Sequence, residues 1–599
     1  MSGTRAHSSD EAGLVVGGVA AAAFAACLIV WVPIRLTSPP GYDGSNNPMA
    51  TTLALVQGQV TWTTACTIIA AALGTVLLGA AVLIVWAGNR RGSHTKKIEH
   101  QSRHLAAGRE LTRLTPKGVA ASAAKLRPGL DSDDPDEHGA PIGIHIPSGV
   151  FLRETWEDMS VDIWGPRKGK TTARAIPKIV ACPGPVVVTS RKGDIVDATR
   201  GPRSKRGRCW VFDPMSMLDQ PQGFWWNPLG TVATVTDARR LADAFCHRDA
   251  NATRDAFFSD ESDDLVANFI LAAAVSGRDL RQVYRWSTRQ RDDEPVGLLR
   301  DAGFAEAAEA VQGVIDLADK TRGGIYGGAK ASLRCLTEAA TLAWITPQPG
   351  LPEFDPVAFP ASTDTLYLVS EDGPGAPAPV IAAFVDTVWR SGEAAARRSP
   401  GRRLDPPMAT IADEAANVVK LAIIPQIMSF YGSAGLPVDI ILQSFSQAVR
   451  VWGREGAQAM WSAANIRILG GGVSDPEFLR SVAEQIGEFD EPTTSTSKSW
   501  GSSRSTSVSY RRRQILSPAD LTALPDGRML LLPSGSRPAL LRSQGWWDGP
   551  YAEAIHASLA QWDPAAQSEE ARQTWSEGRA VTETDHRWTT SLFGRSQER

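Results

Sequence analysis

Two long apolar runs open the chain. Gly13 to Ile34 and Trp62 to Trp86 carry no charged residue, and tryptophans stand at both ends of the second. A helix crossing hydrocarbon needs about 20 apolar residues, because each adds roughly 1.5 Å against a core of about 30 Å. The pattern predicts two membrane-spanning helices, over about 13–34 and 62–86. A cleaved signal peptide is the plainer reading of the first run. Acidic residues precede that run, however, no clear small-residue cleavage site follows, and a second run comes soon after. Buried core helices are the plainer reading of both. The stretch Thr37–Thr61 has no Lys or Arg, whereas Arg90, Arg91, Lys96, Lys97 and Arg103 follow the second run. Positive charge stays inside. The expectation is a multi-pass protein of the inner (cytoplasmic) membrane, with both ends and the bulk of the chain in the cytoplasm.

Further on, the period changes. Short apolar runs stand at Ser160–Trp164, Pro185–Ser190, Arg208–Phe212, Thr365–Ser370, Ala409–Ala412, Val438–Leu442 and Asn465–Leu469. Several are β-branched and end in turn residues, as parallel strands covered on both faces do. Helical patterns lie between them, so the class is α/β. From about 237 to 345 apolar residues recur at helical spacing instead, as in Asp264-Leu-Val-Ala-Asn-Phe-Ile-Leu, which predicts an inserted all-helical domain. The expected organisation is a membrane anchor over 1–90 and a basic-then-acidic linker over 91–145. An α/β nucleotide-binding domain follows in two parts, 146–236 and 346–560, around the helical insert 237–345, with a polar tail over 561–599. The Ser/Thr-rich stretch 493–510 reads as a long loop or hairpin arm.

Composition narrows the chemistry. The net charge of -3 over 599 residues advertises no global affinity for nucleic acid, so any DNA contact must come from local patches or a pore built by several subunits. The six cysteines form no CxxC pair, which argues against a zinc knuckle or a disulfide framework.

The sharpest motif is Gly165-Pro166-Arg167-Lys168-Gly169-Lys170-Thr171-Thr172, which by pattern follows a strand and opens a helix. That setting suits a phosphate loop. Glycine lets backbone N–H groups turn inward around phosphates, and the helix N-terminus adds positive potential. Lys170 would reach the β- and γ-phosphates of ATP, and the Thr171 hydroxyl would bind Mg2+. Only three residues separate Gly165 from Gly169, one fewer than in the common loop, while the Gly-Lys-Thr end is intact. Ile411-Ala-Asp413-Glu414 ends an apolar strand in two acids. Asp413 would hold the metal and Glu414 would polarise the attacking water. Gln443, at the tip of the next strand, would sense the γ-phosphate. The glycine loop favours phosphate binding even alone, whereas the acid pair alone reads as a surface pair at a strand end and Gln443 equally as an exposed amide. Their joint occurrence favours a nucleotide site, because a parallel sheet brings distant strand tips together.

The order of motifs resembles the type IV secretion coupling proteins, the TraG/TraD-like family of conjugation. It runs from the two apolar spans through Gly165…Thr171, Val186-Val-Val-Thr-Ser-Arg-Lys192-Gly193-Asp194, Val211-Phe-Asp213-Pro214, Trp226-Asn227-Pro228-Leu229, Asp413-Glu414-Ala-Ala-Asn417 and Gln443-Ser444-Phe-Ser-Gln447 to Pro525-Asp-Gly-Arg. The resemblance implies a RecA-like motor domain with an inserted helical domain and a homo-hexameric ring. It also implies single-stranded, relaxase-bound DNA, relaxosome proteins and secretion-channel proteins as partners. A chromosome-segregation translocase of the FtsK/SpoIIIE type and a protein-secretion docking receptor with weak ATPase activity are the alternatives. Arg322, Arg454 and Arg467 are candidates for an arginine acting on the neighbouring subunit's nucleotide. Arg504 and Arg511–Arg513 form a local basic cluster, read as a solvated hairpin ahead of a DNA-facing loop.

Overall fold

The computed structural model describes residues 27–564 apart from 43, 45, 46, 248–255, 372, 374, 375 and 498–504. It divides into two units, 1–97 and 98–599. In the first, Asn47 caps the helix Pro48–Val56 by accepting bonds from the N–H groups of Met49 and Ala50. Ile34, Val60 and Cys66 make a small buried cluster. Most of the first expected span, 13–26, lies outside the described residues. The long helix Thr64–Gln101 begins where the second span was expected. Among the described residues, however, no helix is long and apolar enough to cross a membrane, which overturns the expected multi-pass location. The helix passes from its apolar half into the basic stretch Arg90–Lys97.

The second unit is built on one sheet. Its strands are β1 (Gly139–His145), β2 (Phe151–Thr155), β3 (Ser160–Ile163), β4 (Val186–Ser190), β5 (Cys209–Phe212), β6 (Thr365–Val369), β7 (Ala409–Asp413), β8 (Val438–Leu442) and β9 (Ile466–Leu469), with β12 (Arg528–Pro533) and β13 (Ala539–Arg542). The spatial order is β2-β1-β13-β12-β9-β3-β8-β7-β4-β6-β5. From β9 to β5 every pairing is parallel. All residues of β3, β4, β6, β7 and β8 are buried. Alternate residues serve opposite faces. Val187, Leu366, Leu368, Ile440 and Leu442 share one core, while Val186, Val188, Tyr367, Ile411 and Ile441 share another with Ile176 and Ile179. Burial on both faces is why these strands read as unbroken apolar runs.

Outside the parallel block the chain departs from its sequence pattern. The segment read as a linker holds the 3-10 turn Gly108–Leu114, the helix Pro116–Leu126 and the whole of β1. Leu111 and Leu114 are buried with Ile142, Leu152, Ile468 and Met529. Charge masks this packing. Arg113 looks like linker charge, yet its guanidinium donates to both oxygens of Asp158, at 2.8 and 2.9 Å. The Ser/Thr-rich stretch belongs to a hairpin of β10 (Glu488–Ser497) and β11 (Ser505–Gln514), paired in register from Glu488 with Gln514 to Ser497 with Ser505. Between 235 and 344 seven α-helices run from Val235–Cys246 to Ala339–Trp344, with no strand among the described residues. Thr234 and Asp237 form a reciprocal cap at the first of them. The helix Ala552–Trp562 docks on the helix Asp194–Ser204, where the Gly201 N–H donates to Ser558 Oγ at 2.9 Å. The rest of the expected tail, from 565, lies outside the described residues.

A buried ionic cluster is built on the helical segment after the glycine loop, Thr171–Ala175 and Ile176–Ala181. Arg174 donates to Asp162 on β3 at 2.7 Å and to Glu154 on β2 at 3.2 Å. Lys178 lies 2.9 Å from Glu154 and 2.8 Å from Asp439 on β8. All five are buried. Three acids face two bases, and burial, with the Asp439 charge nearby, pushes the Asp162 carboxyl up to about 7 against the pull of Arg174. A protonated Asp162 leaves the cluster neutral. Removing one partner from such a cluster strands a buried charge, so Arg174→Ala should cost about 3–5 kcal/mol in chemical denaturation. The pH dependence is opposite in sign to that of a paired surface acid. An unfolded Asp loses its proton near pH 3.9 or so, at about the usual carboxylate value, whereas folded Asp162 keeps it until about 7. The folded chain therefore binds the extra proton, and stability falls as pH rises between those values. Asp162→Asn should flatten that part of a melting-temperature profile, and an unchanged slope would show that Asp162 does not carry the proton.

Candidate functional site

Three neighbouring parallel strands bring the expected residues together. β3 leads into the glycine loop, β7 ends in Asp413, and β8 lies between them and runs into Gln443. The loop leaves the sheet under tight backbone control. The Gly165 N–H donates to the Gly471 carbonyl at 2.9 Å. A Cβ at Gly165 would sit 2.2 Å from the Gly472 carbonyl oxygen, so only glycine fits. Arg167 and Gly169 adopt positive φ, 59° and 90°. Glycine does so without strain, whereas Arg167 is a non-glycine residue in a sparsely populated region. Lys168 reaches across to Asp526 at 2.5 Å. Lys170 opens the helix that begins with a wide turn over Thr171–Ala175, and Thr172 Oγ1 donates to the Gly169 carbonyl at 3.2 Å. Pro166 lies in the turn between Gly165 and Arg167.

The side chains converge on β7. Lys170 forms a short ion pair with Asp413 Oδ1 and lies 3.5 Å from Glu414 Oε1. Thr171 Oγ1 donates to Asp413 Oδ2 at 3.3 Å. Glu414 stands in the left-handed region, φ 56° and ψ 42°, directly before a short helix. Its carboxylate accepts a bond from Gln443 Nε2 at 2.7 Å, from an Arg191 guanidinium nitrogen at 3.3 Å and from Asn417 Nδ2 at 3.4 Å. Gln443 is steadied in turn, since its backbone N–H donates to Gln447 Oε1 at 3.1 Å.

The two adjacent acids are held differently. Burial pushes Asp413 above the usual carboxylate range, and Lys170 only partly offsets this. Burial also works against the charge of Glu414, but Lys170, the Gln443 amide and Arg191 together outweigh it and hold the group below its usual value. Burial raises Asp194 too, with the Asp413 charge adding to the effect. Thr171 and Asp413 offer a hydroxyl and a carboxylate at one point, which is the hard oxygen chemistry Mg2+ requires. Lys170 supplies the cation for a terminal phosphate. The residues present therefore fit a magnesium–triphosphate pair, once the Lys170–Asp413 contact opens.

Sequence reasoning leaves Arg191 and Asn417 without a role, although both occur in its motifs. Only the fold brings the end of β4 beside that of β7. The arginines proposed to act on a neighbour have partners of their own. Arg322 donates to the carbonyls of Ile315 and Leu317, at 2.9 and 2.7 Å. Arg454 pairs with Glu477 at 3.1 Å, and Arg467 donates to the Leu532 carbonyl at 3.2 Å. Arg512 and Arg513 face Glu488 and Glu491 across the hairpin, at 3.6 and 3.1 Å, and Arg504 lies outside the described residues.

Comparison with known proteins agrees with the resemblance read from the motifs. Residues 407–526 match the family model described as the TraM recognition site of TraD and TraG. Among solved structures, the bacterial conjugative coupling protein TrwBdeltaN70 in an unbound monoclinic form matches with a TM-score of 0.50 and 16% identity, over 70% of this chain and 91% of that one. The plasmid coupling protein TrwB in complex with the non-hydrolysable GTP analogue GDPNP matches with a TM-score of 0.50 and 15% identity, over 70% and 91%. At such identity the likeness carries the fold alone, an α/β architecture on a largely parallel sheet. No curated protein matches the chain.

The close approach at the loop gives a direct test. Gly165→Ala should displace the loop from Gly472 and destabilise the chain by about 1–3 kcal/mol, as over-packing does. It should also weaken binding of a fluorescent ATP analogue. Unaltered denaturation and unaltered nucleotide affinity would show that the loop tolerates the added methyl.

Proposed function

We propose that this chain is an ATPase, working with ATP and Mg2+, that couples single-stranded, relaxase-bound DNA and its relaxosome proteins to a type IV secretion channel as a homo-hexamer. The observation that carries the reading is the meeting of Lys170, Thr171, Asp413, Glu414 and Gln443 at adjacent strand ends. The match of residues 407–526 to the TraD and TraG model supports the conjugative setting. The complex of TrwB with the GTP analogue GDPNP supports nucleotide use on this fold.

Each residue takes a defined part. The backbone from Gly165 to Gly169, with Pro166, Arg167 and Lys168 between, cradles the phosphates. Lys170 and Thr172 sit at the helix start beneath them, and Lys170 leaves Asp413 to neutralise the terminal phosphate. Thr171 and Asp413 would hold Mg2+, which would supply charge neutralisation. Glu414 takes a proton from the attacking water, while the bond from the γ-phosphorus to the ADP oxygen breaks. Gln443, bonded to Glu414, registers the change and passes it into β8. Residues 237–345 serve as the substrate-facing helical domain, inserted between the two parts of the motor.

Lys170→Ala should abolish ATP hydrolysis and DNA transfer together. Glu414→Gln should keep ATP binding while lowering kcat by about 10²–10⁴, the usual worth of a positioned base. Single-stranded DNA should stimulate the wild-type rate. Hydrolysis and transfer that persist unchanged in Lys170→Ala would remove the motor reading, and indifference to DNA would favour a protein-secretion ATPase.

A further inference from the structure

We infer that Arg191 is a positioning residue that restrains the catalytic carboxylate of Glu414 at rest, so that basal ATP turnover is set by release of this arginine. The inference rests on the ATPase reading above and adds a regulation to it.

A carboxylate offers about four lone-pair sites on its two oxygens, and a base must keep one of them free to accept a proton from water. At rest Glu414 Oε1 accepts from Gln443 at 2.7 Å and lies 3.5 Å from the Lys170 ammonium. Glu414 Oε2 accepts from Arg191 at 3.3 Å and from Asn417 at 3.4 Å. Oε2 thus has both of its acceptor sites filled, and Oε1 has one filled with an ammonium beside the other. When Lys170 turns to phosphate, Arg191, Gln443 and Asn417 still hold the group.

Arg191 is the releasable member. Gln443 is anchored by Gln447, and Asn417 lies on the short helix that Glu414 itself starts. Arg191 sits on the turn between β4 and the helix Asp194–Ser204, and its side chain is 36% exposed. It reaches Glu414 through a single guanidinium nitrogen, while its Nε is buried without a hydrogen-bond partner among the described residues. One long bond and an unmet donor describe a contact that costs little to open. The helix after this turn also carries the docked segment Ala552–Trp562, where Arg200 stacks on Trp562 at 4.0 Å. A pull on that helix therefore reaches the Arg191 turn through one rigid element.

The test uses the full chain and reads steady-state ATP hydrolysis without DNA. Arg191→Ala should raise basal kcat several-fold while KM for ATP stays within about twofold, because the change acts on the water-facing carboxylate rather than on the phosphates. Arg191→Lys, which can still reach a carboxylate, should return the rate towards wild type. In the Glu414→Gln background the activation by Arg191→Ala should vanish, since the arginine acts through that group. A fall in kcat on Arg191→Ala, or no change in an active chain, overturns the inference and leaves the ATPase reading standing. A wild-type rate no greater than that of Lys170→Ala removes the ATPase reading itself, and this inference with it.

Discussion

An ammonium and two carboxylates, carried on different strands and almost wholly removed from water, form the contact on which the rest of the molecule depends. Lys170 would be costly to bury alone, and so would Asp413. Together they hold the tip of β7 against the loop that follows β3, across the intervening tip of β8. The pair keeps the site closed to stray cations and ready for a ligand that brings both charges at once. A magnesium–triphosphate offers an anion to Lys170 and a cation to Asp413, so the charges part without either being left uncompensated. Net attraction in a buried pair is small after desolvation, which makes such an exchange feasible.

The ionic cluster around Arg174 extends the same logic one turn deeper. Its members come from β2, β3, β8 and the nucleotide-loop helix, so the loop's base is tied to the sheet by charge as well as by apolar packing. Apolar contacts would hold that helix in several nearly equivalent positions. Directed bonds from Arg174 to Asp162 and to the Pro141 carbonyl, at 2.7 and 2.8 Å, allow one. A phosphate loop needs that definition, because a small displacement of Lys170 would forfeit its contact with β7. The cluster therefore contributes placement more than stability.

The parallel half of the fold is legible in the sequence because its strands are buried on both faces, and unbroken apolar runs such as Val186-Val-Val and Val438-Asp-Ile-Ile-Leu announce that burial. Even Asp439, which interrupts the second run, turns out to be a buried partner of Lys178. The phosphate loop and the acid pair are legible because their chemistry needs particular residues at particular spacings. The antiparallel edge is not. β1, β2, β12 and β13 contain Arg153, Glu154, Arg528 and Arg542, and only tertiary pairing shows where those charges go. Arg528, for instance, meets Glu99, a residue far away in the chain and outside any motif. The N-terminal apolar runs fail for a different reason. Apolar length in a sequence says what a helix could cross, and among the described residues no helix is long and apolar enough to do so.

Placement of Gln443 between the loop and the acids gives the site a direction. β8 is hydrogen-bonded to β3 on one side and β7 on the other, so its tip feels whichever of them moves. Gln443 touches Glu414, and Ser444 caps the long helix Phe445–Ala463 by accepting from the Gln447 N–H at 3.3 Å. That helix bends where Gly453 leaves helical geometry, with φ 72° and ψ 169°, a conformation that glycine alone adopts without strain. A shift of one amide at the strand tip is thus applied to the N-terminal end of a helix that has a built-in break. Rigid strand, capped start and interrupted helix thus join the strand tip beside Glu414 to the segment beyond the break, so a displacement at that tip is delivered to the helix rather than absorbed in a loop.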